Sequence, residues 1–209
     1  MNKNKIHLLL LAIVTAFFIW SFIKPKHYFI WMLEVGPSVL AIVVILFLYN
    51  KMRLTTFSYT IIAFLTILTF IGGHFTYDDV PLFDWFQSHF NLKRNHYDRF
   101  GHFLKGLLVI VFLEILIRKT ALPIGKWAQF LALNMTLAIA TLYEIVEWIA
   151  GKMSKRTSKD FVGAQGDIWD AQWDMSLTLV GSLIAIILLT KWHNRYLKKS
   201  KDSSSDGWS

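Results

Sequence analysis

The sequence predicts an all-α integral membrane protein: a six-helix transmembrane bundle with a short interfacial helix. Three observations carry this. Of 209 residues, 55% are hydrophobic and only 17% charged, where a soluble domain carries about 25% charge. Apolar stretches long enough to cross a bilayer recur six times, and mean hydropathy is +0.44. Nine Trp and seventeen Phe suit aromatic belts at two membrane interfaces.

The first span is expected at residues 6–23. Lys3 and Lys5 precede it, as in a signal peptide. However, Ser21-Phe22-Ile23-Lys24-Pro25 is a poor peptidase site, so this reads as an uncleaved helix. The second span is expected at 28–49, with Gly36-Pro37 inside it. Proline removes a backbone donor and clashes one turn back, which predicts a bend. The third is expected at 57–73, the fourth at 100–117, the fifth at 124–150 and the sixth at 168–192. Together they make a single polytopic domain over residues 1–197. The polar residues 198–209 are expected to be disordered.

Between the third and fourth spans, Asp79-Val80-Pro81 reads as a helix start, with Asp as cap and Pro in the first turn. Leu82, Phe83, Phe86 and Phe90 then share one face, which predicts the short interfacial helix. Lys and Arg flanking the spans favour the side that holds both termini. By the positive-inside rule both termini are expected in the cytoplasm. The net charge of +8 sits between apolar segments and in the tail, which suits phospholipid headgroups rather than nucleic acid. Cysteine is absent, which excludes disulfides and thiolate ligands.

Ionisable residues within spans are costly and mark function by default. Asp167, Asp170 and Asp174 are spaced i, i+3, i+7 at the head of the sixth span, within about 60° on a helix. Asp98 and His102 open the fourth span as i, i+4 neighbours, followed by Lys105. Glu144 and Glu147 end the fifth, His74 ends the third, and Glu34 lies early in the second. All are expected at the same membrane face. Depth divides them. Asp167 and Asp170 suit an N-cap and a first-turn acid. Asp174 lies about 10 Å further along, Glu144 about 10 Å inward from Gly151, and His102 about 6 Å inward from Asp98. His102, Glu144 and Asp174 are therefore the expected catalytic or metal-ligating set. Asp98, Asp170, Glu147, Asp167 and Lys105 are expected to support them, with Lys105 neutralising a carboxylate. Glu34 is expected to be satisfied near the Pro37 bend.

Carboxylates with an imidazole suit a divalent metal, which would polarise a phosphoryl group or activate water. The basic stretch with Lys152, Lys155, Arg156 and Lys159 adjoins them and suits an anionic lipid or cell-envelope headgroup. No HExxH, Walker or GxSxG signature occurs, so enzyme or non-enzyme stays open. Three functions remain: a hydrolase or transferase of the cell envelope, a transporter or proton pathway, and a non-catalytic scaffold. The second requires a polar trail to the other face, for which Gln129 and Asn134 are the candidates.

Tyr97-Asp98-Arg99-Phe100-Gly101-His102-Phe103, Tyr143-Glu144-Ile145-Val146-Glu147-Trp148 and Gly166-Asp167-Ile168-Trp169-Asp170 with Asp174 resemble the YjdF family of bacterial inner-membrane proteins. That resemblance implies a multi-pass inner-membrane protein and no particular activity. A looser similarity is to the VanZ-like membrane proteins, through Asp98, His102, Glu144 and Asp174. Trp148 and the long basic loop depart from that second pattern.

Overall fold

The computed structural model describes residues 3–153 and 165–205. Among them all regular structure is helical, in eight elements: α1 Lys3–Phe22, α2 Tyr28–Leu48, α3 Thr56–Phe75, α4 Pro81–His89, α5 Tyr97–Lys105, α6 Leu108–Lys119, α7 Lys126–Met153 and α8 Asp170–Ser205. Six segments are long and apolar enough to cross a membrane, with α5 and α6 together forming the fourth. The expected six-helix membrane bundle is present.

Local chemistry explains several boundaries. Thr55 caps α3, its hydroxyl accepting from the Ser58 N–H at 3.3 Å. Pro81 opens α4, where a missing N–H costs nothing. The residue before it, Val80, occupies the cap position and gives no side-chain bond. The expected Asp79 cap is therefore corrected. Asp79 instead pairs with Lys26 and accepts from the Thr76 hydroxyl at 3.1 Å, because an ammonium competes better for the carboxylate than a helix N–H. Leu82, Trp85 and Phe86 of α4, with Phe90 just after it, are exposed, the apolar surface expected of an interfacial helix.

The described residues form three packing centres, the smallest of them Tyr77, Val80 and Tyr97. Val14, Val35, Ala63 and Phe70 join α1 and α2 to α3. A larger group, including Ile62, Ile110, Leu113, Ala132 and Ala185, joins α3 to α6, α7 and α8. The other faces of α1, α2 and α7 leave large apolar side chains such as Leu8, Phe47 and Leu142 exposed, as lipid-facing helices do.

The fourth span is not the one continuous helix expected from the sequence. At Gly106 and Leu107 the backbone bonds shorten to i−3: Gly106 N–H donates to Phe103 O and Leu107 N–H to Leu104 O. This frees the His102 carbonyl, which accepts from the Thr178 hydroxyl at 3.1 Å, while Gly106 O accepts from Ser182 at 3.2 Å. Thus α8 supplies the bonds that the break gives up. The crossing is very close. A Cβ on Gly181 would collide with the Phe103 carbonyl, and one on Gly106 with the Ser182 backbone. Gly181→Ala is expected to cost about 1–3 kcal/mol or more through overpacking. A thermal melt in detergent checks this, and an unchanged midpoint would contradict the crossing.

α8 continues to Ser205, so the tail expected to be disordered from residue 198 is helical through 205. Propagating an existing helix is cheap once a long span has nucleated it; residues 206–209 lie outside the described residues. Lys155, Arg156 and Lys159 of the basic loop do as well.

Candidate functional site

The helices place the deep polar residues together. α5 carries Asp98, His102 and Lys105, α7 carries Glu144, and α8 carries Asp174. His102 and Asp174 are fully buried, Asp98 is 3% exposed and Glu144 8%. A ligand atom from each of Asp98, His102 and Asp174 lies within 4.8 Å of the others. His102 Nε2 is 3.6 Å from Asp98 Oδ1 and 3.6 Å from Glu144 Oε1. The tight trio therefore contains Asp98 where the sequence led us to expect Glu144. Asp98 is brought in by its one-turn spacing from His102, and Glu144 flanks the group through the imidazole. Glu147, half-buried, lies three residues further along α7.

Among the described residues Lys105 makes no direct ion pair with a carboxylate. Its ammonium donates to His102 Nε2 at 3.0 Å and lies over the Tyr143 ring at 4.3 Å. An ammonium has only donors, so Nε2 must be the accepting nitrogen of a neutral imidazole. His102 Nδ1, Glu144 Oε1 and both Asp174 oxygens make no hydrogen bond among the described residues. Buried polar atoms are almost always paired, and each orphan costs about 1–3 kcal/mol. The pocket thus has the donor atoms for a hard or borderline divalent cation, which would take the place of the Lys105 ammonium at Nε2.

Glu34 is also buried, at 1% exposed. The Pro37 region does not satisfy it. Neither of its carboxylate oxygens has a hydrogen-bond partner among the described residues. Burial pushes the Tyr77 phenol well above its usual range, so it stays neutral beside these acids. His74 stands apart, packed at a tilt against Trp20 with ring centroids 4.3 Å apart and Nδ1 3.2 Å from the Ser21 carbonyl.

A family model described as a predicted membrane protein, DUF2238, matches residues 6–195. The chain belongs to this membrane protein family. It is similar to the inner membrane protein YjdF of Escherichia coli (strain K12), 35% identical over 187 residues, covering 89% of this chain and 90% of that protein. No solved structure matches it significantly.

In this DUF2238 chain the outer acids do a different task from the deep ones. Arg94 Nη1 bonds Asp170 Oδ1 at 2.5 Å and Arg99 Nη2 bonds Asp167 Oδ2 at 2.5 Å, with both cross-pairs at 3.8 Å. Gln165 clasps the Asn95 backbone through both amide atoms at 2.8 Å. Gly166, at φ +82°, makes the left-handed turn between clasp and clamp. Asp167 also accepts from the Trp169 N–H at 2.9 Å, as an N-cap would. That N–H, then Arg99 and Arg94, hold the Asp167 carboxyl below its ordinary value of 3.8. Its pairing is therefore complete above that value and is lost only as pH falls through the lowered one. A double-mutant cycle on Arg94→Ala and Asp170→Ala is expected to give a coupling of about 1–3 kcal/mol. Additive effects would show that the pair contributes nothing.

Sequence reading missed a second buried group at the opposite end. Glu114, fully buried on α6, accepts from Thr55 N–H, Thr55 hydroxyl, Ser58 hydroxyl, Arg118 and His193. In contrast, Asn134 is exposed on α7 and bonds its own helix at Phe130 O, and Gln129 is half-buried. Asn134 is therefore not part of an interior trail, because its amide is used one turn back on a lipid-facing surface.

Proposed function

We propose that this chain is a multi-pass protein of the bacterial inner membrane whose Asp98–His102–Asp174 group holds a divalent metal. With that metal it acts on an anionic cell-envelope headgroup as a membrane-embedded hydrolase or transferase. The inner-membrane assignment draws on the name of the E. coli relative and on the six apolar spans. The looser likeness to VanZ-like proteins rests on Asp98, His102, Glu144 and Asp174 alone and adds no warrant of its own.

One observation carries the metal reading: two carboxylates and an imidazole converge from α5 and α8 in a buried place where both Asp174 oxygens lack donors. A divalent ion would repay that desolvation and polarise a phosphoryl or carbonyl oxygen. Glu144, beside the imidazole, is positioned to exchange a proton with a substrate or water. Glu147, Asp98 and Lys105 would tune the charge around it. Elemental analysis of purified protein equilibrated with Mn²⁺ or Zn²⁺ tests this. We expect stoichiometric metal in the wild type and loss in Asp174→Asn and His102→Ala. A metal-free wild type would sink the reading.

A second reading, proton or ion conduction, is favoured by the buried face of α8, where Asp174, Thr178, Ser182, Thr190 and His193 run from one end to the other. It predicts flux in proteoliposomes that Glu144→Gln reduces at least tenfold, on the order expected for a required proton carrier.

A further inference from the structure

A cleft of about 360 Å³ lies between α1, α2 and α3, toward the end of the bundle that holds the start of α1. At the other end α1 and α2 touch: Trp31 donates to Ser21 at 3.2 Å and packs on Phe18 and Phe22. Toward the α1 start they stand apart on either side of α3. The walls are Leu8, Leu11, Val14, Ile42, Leu46 and Ile62. Leu8 and Leu46 are 67% and 47% exposed, so the cleft opens sideways, where a bilayer would lie. Its volume falls in the range of small-molecule sites.

The mouth is polar and cationic. His7 sits there with Nδ1 2.8 Å from the Tyr49 hydroxyl and Nε2 2.9 Å from the Thr56 hydroxyl. Arg53 bonds Asn4 and lies over the Tyr49 ring. Lys3, Lys5, Lys51 and Arg53 are all exposed at this end. From residue 1 to 77 the sequence holds a single acid, Glu34, buried toward the opposite end of α2. The cleft therefore joins an apolar channel to basic charge that its own segment does not neutralise.

We propose that this cleft binds one acyl chain of an anionic phospholipid, with the headgroup phosphate held by Arg53 and Lys3. The chain fills the apolar walls, and the phosphate meets the cations at headgroup depth. The site shares no residue with the Asp98–His102–Asp174 group, so the two proposals fail independently.

Native mass spectrometry of the detergent-purified full chain, equilibrated with equal phosphatidylglycerol and phosphatidylcholine of matched acyl chains, tests this. One phosphatidylglycerol is expected to be retained with a preference on the order of tenfold. Leu11→Trp should remove retained lipid of both kinds without lowering the melting temperature. Lys3→Gln with Arg53→Gln should keep a lipid but lose the preference. If Leu11→Trp fails to fold, Leu46→Trp fills the cleft from its α2 edge. Equal retention of the two lipids by the wild type would overturn the proposal. So would retention unchanged by the Trp variant, which would mean ordinary surrounding lipid.

Discussion

Glu114→Ala is expected to destabilise the protein by about 3–5 kcal/mol, the cost of breaking a buried charged network by removing one partner. The carboxylate sits at the centre of five donors. Thr55 N–H and hydroxyl both donate at 2.7 Å, Ser58 at 2.5 Å, Arg118 at 2.7 Å and His193 at 3.1 Å. Deleting it orphans donors from the α2–α3 loop, α3, α6 and α8 at once. A fall of roughly 6–20 °C in melting temperature corresponds to that loss in a chain of this size. Glu114→Gln should be intermediate, because the amide offers one acceptor where the carboxylate offers two. A Glu114→Ala protein that melts like the wild type would contradict the network.

Asp174→Asn is expected to act with the opposite sign. Asp174 and Asp98 are neighbouring buried acids, and neither Asp174 oxygen has a donor. The amide removes one charge and supplies N–H groups for the carboxylates that remain. In metal-free buffer it should therefore raise stability by about 1–2 kcal/mol. With Mn²⁺ or Zn²⁺ at a hundred times the dissociation constant, the wild type should gain about 2.7 kcal/mol, and the variant should gain nothing. A scaffold in which the acids are held by Lys105 and the arginines predicts a fall on neutralising Asp174. A lower metal-free melting temperature for Asp174→Asn would support that scaffold and sink the site.

The two predictions mark what sequence can and cannot reveal. Six spans are legible because length and hydropathy suffice to find them. Asp174, His102 and Asp98 are legible because each interrupts or borders an apolar run at helical spacing. Glu114 obeys the same rule, as the one acid within Leu108–Lys119. Its partners carry no such sign. Thr55 and Ser58 look like ordinary capping residues, and His193 falls one residue beyond the expected end of the last span. The Arg94–Asp170 pair joins residues 76 apart, so local capping logic explained Asp170 only in part. The break at Gly106 has no proline to announce it. It arises from the approach of Gly181, a tertiary contact that periodicity does not encode.

That approach gives the bundle a fulcrum. α8 is one uninterrupted rod, held against Phe103 and Gly106 where Gly181 leaves no room to slide. Asp174 lies about 10 Å from this pivot on one side and His193 about 18 Å on the other. Rocking α8 about the pivot would therefore move His193 nearly twice as far as Asp174, and in the opposite sense. A shift of about 1 Å at Asp174 would carry His193 about 1.7 Å, well beyond the tolerance of its 3.1 Å bond to Glu114. The two buried groups are the ends of a single lever.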